Sequence, residues 1–166
     1  MWRAKQSGEQ MTEHGGTSHL IVRLAHAHRN AAAALLQPLG LHPGQELVLM
    51  RLGEEDGQPQ SRLVHALDLD PSTVSRTVQR LERKGLLTRA PSPADRRAVL
   101  VTLTPEGRAL LPGVHAAWAA LDAATARGLS ERRRAEAVRL LRHLERGLAE
   151  APARPADDAR GDDARA

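Results

Sequence analysis

From Leu20 onward the apolar residues recur at helical spacing. Leu20, Ile21, Leu24, Ala31, Ala32, Leu35 and Leu36 mark a first helix that Thr17 or Ser18 can cap and that ends near Gln37-Pro38-Leu39-Gly40. Pro43 stands in the first turn of a second, short helix carrying Leu47, Val48, Met50 and Leu52, and Gly53 to Pro59 reads as a polar connector. A third helix of two turns fits Ser61 to Leu67. Asp68-Leu69-Asp70 is then a turn, and Asp tolerates a left-handed backbone better than most residues. Asp70-Pro71 places an N-cap before a proline at the first helical position, and the fourth helix it opens runs to about Lys84 and stops at Gly85.

After Gly85 the period shortens from 3.6 to 2. Leu86 to Arg89 and Ala98 to Leu103 form the two strands of a hairpin, joined by a loop, residues 90–97, that ends in Asp95-Arg96-Arg97. Thr104-Pro105 repeats the cap-and-proline signal and opens a long helix through Leu110, Leu111, Val114, Trp118 and Leu121. Ser130 opens a last one, with Leu140, Leu141, Leu144 and Leu148 along one face. The order is four helices, a hairpin and two helices. Residues 1–16 and 150–166 lack apolar periodicity and are expected to be disordered tails.

Composition narrows the class. The chain has 166 residues, 41% of them hydrophobic, with no Phe, Tyr or Cys, so Leu, Val and Ala must fill a single core. Without cysteine there is no disulfide, thiolate metal site or thiol redox chemistry. No apolar run is long enough to span a bilayer and no leader pattern opens the chain, so a cytoplasmic protein with no membrane partner is expected. Gly-rich phosphate loops, nucleophile elbows and paired carboxylates are missing too, so no catalytic residue and no cofactor is assigned.

The formal charge of +4 rests on arginine. Between Pro71 and Arg97 seven basic residues face only Glu82 and Asp95. On the fourth helix Val74, Val78 and Leu81 share the inner face. Ser72, Arg76, Gln79, Arg80 and Arg83 lie opposite, flanked by Thr73 and Thr77 on one side and Ser75 on the other. Hydroxyls and a helix N-terminus suit phosphates, and arginine suits the paired acceptors of guanine. Short helix, turn and this helix make a helix-turn-helix. The expected contacts with double-stranded DNA are therefore Ser72, Thr73, Ser75, Arg76, Thr77, Gln79, Arg80 and Arg89, with Arg96 and Arg97 from the hairpin tip in the minor groove. Asp95 is expected to orient one of these arginines.

The run LDLDPSTVSRTVQRLERKGLLTRAPSPADRRAVLVTLTPEGRALL resembles the winged-helix core of the MarR family, including the Asp95/Arg97 wing element and the Leu-Thr-Pro-Glu-Gly that follows. Upstream, LHPGQELVLMRL is similar to that family's second helix. The likeness spans about residues 18–148 and is most specific over 70–107. It implies a mainly α fold with a β-hairpin wing over residues 17–149. Within it a DNA-binding lobe covers about 43–104, and dimerisation helices cover about 17–39 and 105–149. It further implies a homodimer on a pseudo-palindromic operator, most simply a repressor released by a small organic anion or phenol bound between the dimer helices and the DNA-binding lobe.

Arg23, His26, His42 and Trp118 are the residues expected to line such a pocket, with Arg23 supplying the counter-charge. Two other readings compete. Metal sensing on the same fold would need clustered ligands, but His26 and His28 point to nearly opposite helix faces and the remaining histidines are scattered, so no metal site is assigned. A winged helix used only for protein contacts would expose apolar residues where this one has Ser, Thr and Arg.

Overall fold

The computed structural model describes residues 6–92 and 99–150, with backbone alone for 6–15. The chain divides into two compact units, Met1–Thr125 and Ala126–Ala166.

In the first unit α1 covers Gln6–Leu36, interrupted at Gly16, whose φ of 34° and ψ of −134° are not helical. The break lies next to the Thr17/Ser18 start expected from the sequence. Helical backbone nevertheless continues on the far side of it as far as Gln6, within the segment expected to be a tail. A 3-10 turn at Gln37–Leu39 follows and ends on Gly40 in the left-handed region. Then come α2 (Gln45–Glu54), β1 (Gln58–Pro59), α3 (Gln60–Leu67), α4 (Pro71–Arg83), β2 (Leu87–Pro91), β3 (Val99–Leu103) and α5 (Pro105–Thr125). The second unit contributes α6 (Glu131–Ala149), capped by Ser130, whose side chain accepts from the Arg133 amide.

Three sequence expectations need correction, the first being that Pro43 lies in the turn before α2, whose N-cap is Gly44, and not in its first turn. The connector assigned to Gly53–Pro59 holds the last turn of α2 and a short strand. Gly53 lies inside α2, and its missing Cβ admits Leu111 of α5, whose Cδ1 would lie only 2.9 Å from such an atom. Gln58 and Pro59 pair with Val101 and Leu100, so the hairpin is part of a three-stranded antiparallel sheet of order β1-β3-β2. The buried Gln58 side chain holds this strand in place by donating to the Glu55 carbonyl. In the hairpin Leu87 pairs with Leu103, Arg89 with Val101 and Pro91 with Val99.

The core of the first unit is aliphatic, as the composition requires. Leu36, Val48, Leu49, Leu52, Leu63, Val74, Val78, Leu81, Leu87, Val101 and Val114 are shielded almost completely from solvent. The three inner residues of α4 pack here, so its opposite face points outward. Two hydrogen bonds set the junction of sheet and α5. Thr104 Oγ1 accepts from the Gly107 amide at 3.0 Å and donates to the Gly85 carbonyl at 2.7 Å. Asp56 accepts from the Leu103 amide and pairs with Arg108, joining the β1 approach to β3 and α5.

A candidate nucleic-acid interface

The turn before α4 adopts the conformation that a helix-turn-helix needs. Asp68 ends α3 at φ 49° and ψ 45°, the only positive φ outside glycine among the described residues. Asp70 then caps α4, accepting from the Thr73 amide at 2.9 Å. It also accepts from Ser72 Oγ at 2.6 Å. These bonds, from Ser72 first and Thr73 next, hold the Asp70 carboxyl well below the usual carboxylate range.

On the outward face of α4, Ser72, Arg76, Gln79 and Arg80 are exposed, while Thr73, Ser75 and Thr77 are half-buried at its flanks. Arg76 folds back toward the helix start. Its Nη2 donates to Ser72 Oγ at 2.7 Å and its Nε to the Ser72 carbonyl at 3.2 Å. Arg89 on β2 is differently engaged. Its Nε and Nη2 both donate to Glu82 Oε2, at 2.9 and 2.6 Å. The pairing lowers the Glu82 pKa and raises that of Arg89, in each case chiefly through the shared hydrogen bonds. Lys84, at the end of α4, donates to the Gly40 carbonyl and to Gln45 Oε1. Asp95, Arg96 and Arg97 lie outside the described residues.

Sequence reasoning read Ser72 as a phosphate donor and missed the parts played by Glu82 and Lys84. A signal existed for Ser72, because a hydroxyl two residues after an Asp cap faces that cap. None existed for Lys84, whose partners lie 44 and 39 residues away.

The four expected effector residues do not converge within the chain. Arg23 and His26 are exposed and border an open hollow of about 660 Å³ on α1, and Asn30 Nδ2 stands 3.1 Å from His26 Nε2. His42 borders a separate hollow of about 470 Å³ with Ala33, Gln37 and Gly40. Its backbone amide donates to Gln45 Oε1. Trp118 is half-buried against the aliphatic core. Among the described residues no three His, Asp or Glu side chains are grouped as a metal site. No helix among them is long and apolar enough to cross a membrane.

Comparison with known proteins gives this interface a family. A model described as the MarR family matches residues 41–99. A Thauera aromatica protein named for transcriptional regulation of the hcr operon is 34% identical over 127 residues, 76% of each chain. The structure of Bordetella bronchiseptica BpsR, described with the regulation of its DNA binding by 6-hydroxynicotinic acid, is 33% identical. Its TM-score is 0.70, covering 77% of this chain and 97% of that one. A mutant of E. coli MarR complexed with operator DNA matches with a TM-score of 0.74 at 26% identity, over 81% of this chain and 96% of that one. With this likeness along most of its length, and the helix-turn-helix and hairpin in place, the chain belongs to the MarR family of winged-helix DNA-binding transcription regulators, which are not enzymes.

Proposed function

We propose that the chain acts as a homodimeric repressor on a pseudo-palindromic operator and is released from it by a small organic anion or phenol. The observation that carries the DNA reading is the outward face of α4. Its first turns present Ser72 and Arg76 with no acidic side chain between them and Arg80. Arg76 reads a base edge, Arg80 and the flanking hydroxyls contact phosphates, and Arg96 and Arg97, oriented by Asp95, enter the neighbouring minor groove. Dimerisation is supported by the apolar residues left exposed in each unit, Leu20, Val22 and Leu24 on α1 and Leu140, Leu141, Leu144 and Leu148 on α6.

The effector reading draws support from BpsR, whose DNA binding is described as regulated by an aromatic hydroxy acid. Arg23 and His26 border one hollow and His42 another, and on this reading the pocket is completed in the dimer. The test is binding-site selection followed by titration of the selected operator. The expected site has half-sites about 34 Å apart, one turn of duplex. Arg76→Ala is expected to weaken binding by about 1–3 kcal/mol per half-site and to relax the preference at one base pair. A uniform loss across all sequences discards the base-reading role. Aromatic carboxylates added to the complex should release the native protein, and Arg23→Ala should blunt that release.

A further inference from the structure

The hydroxyl proton of Ser72 is committed to Asp70, and its lone pairs face Arg76. Asp70, ionised as an N-cap, is acceptor only, so the 2.6 Å contact fixes the direction of the Ser72 O–H bond. The oxygen is thereby turned to accept from Arg76 Nη2 at 2.7 Å, while the carbonyl of the same serine accepts from Nε. One residue grips two sites on the guanidinium. A guanidinium has five N–H donors, so both on Nη1 and one on Nη2 remain unused, and one from each nitrogen makes the two-pronged fork that a guanine edge accepts.

We propose that Ser72 is a positioning residue which, oriented by Asp70, presets the Arg76 guanidinium for a guanine edge and does not itself contact phosphate. This rests on the reading of Arg76 as the base-contacting residue. A free arginine on a helix surface samples many rotamers and loses that freedom when it docks. Held by Ser72, it has lost much of it already. The gain is confined to the base pair that Arg76 reads, so Ser72 sets specificity without adding to general affinity.

Titrations of Ser72→Ala, Ser72→Thr and Arg76→Ala on the selected operator, and on operators altered at the Arg76 base pair, test this. Ser72→Ala is expected to reduce discrimination at that pair by about tenfold per half-site, the scale of the rotamer freedom restored to the arginine. Binding to random duplex and the slope of affinity against salt should not change. Ser72→Thr, which keeps the hydroxyl, should restore discrimination. In the free protein, ¹⁵Nε relaxation of Arg76 should show lower order in Ser72→Ala alone.

A uniform weakening on all sequences by Ser72→Ala makes Ser72 a phosphate contact and overturns the proposal. So does unchanged discrimination alongside an Arg76→Ala variant that has lost it. If Arg76→Ala itself keeps its preference at every base pair, the base-reading role of Arg76 fails first and the positioning role falls with it. Ser72 is exposed, and matching thermal midpoints across the variants confirm that they fold equally.

Discussion

Alanine at position 107 would put a methyl carbon 2.0 Å from the carbonyl oxygen of Leu86. An ordinary carbon–oxygen contact is about 3.3 Å or more, so α5 and the strand approach must part by more than about 1 Å. The obstacle is not a side chain that can turn away. Leu86 O is fixed by accepting the Thr104 amide at 3.2 Å, and Thr104 Oγ1 ties Gly85 to Gly107 itself. Overpacking of a well-filled site costs about 1–3 kcal/mol, and a rigid backbone obstacle belongs at the top of that range. Against this stands the helix preference of alanine over glycine, worth about 1 kcal/mol. Gly107→Ala is therefore expected to destabilise the protein by about 2 kcal/mol, measured as a lower urea midpoint at unchanged m-value. The control is Gly113→Ala, where the new Cβ meets the flexible tip of Leu39 at 2.9 Å and the helix preference should nearly cancel the strain. Equal midpoints for Gly107→Ala and wild type would refute this account of the Leu-Thr-Pro-Glu-Gly element.

Two further outcomes follow from the charged pairs and the buried acid. Glu82→Gln releases Arg89 to phosphate, so operator affinity should rise and the slope of log K against log salt should steepen by about 0.9 per half-site, whereas an unchanged slope shows that Arg89 does not reach DNA. Glu46 is buried near the start of α2 and burial raises its pKa, so the folded state holds this proton more tightly than the unfolded state does. Its contribution is then most favourable at low pH and is lost as pH rises through the folded value. Glu46→Gln should accordingly stabilise the protein at neutral pH, by a margin that shrinks as pH falls; denaturation midpoints showing no gain at neutral pH reject this.

Local signals located most of the elements. Asp70-Pro71 and Gly85 bracket α4 within a residue, because a cap, a fixed φ and a left-handed stop act through nearest neighbours. Thr104-Pro105 does the same for α5. What the sequence hid depends on distant partners. Gly53 reads as a break, yet it lies inside α2, where a leucine from another helix packs close against it. β1 is two residues long, too short for any alternation to show, and exists only because β3 offers it an edge. At the interface the outward face of α4 was legible from helical spacing, since three buried aliphatics fix its rotation. Which arginines are engaged was not, because Arg89 meets Glu82 only after the chain has turned from α4 into β2.

That distinction changes what the basic segment can do. Counting charges between Pro71 and Arg97 treats every arginine as available to phosphate. Arg89 is paired with Glu82, and Lys84 donates to a carbonyl and an amide oxygen, both uncharged. Arg80 and Arg83 are exposed on α4. Arg76 is hydrogen-bonded twice to Ser72. Of the basic side chains on α4 and β2, only Arg89 is offset by an acid, so the others all add to long-range attraction. On the proposed reading, discrimination between sequences depends on the first turns, where Ser72 holds Arg76. A phosphate contact weakens all sequences alike when removed, and a preset guanidinium weakens only the correct one. If the Ser72 and Glu82 variants behave as expected, affinity and specificity are separable along a single helix, the first altered at Glu82 and the second at Ser72.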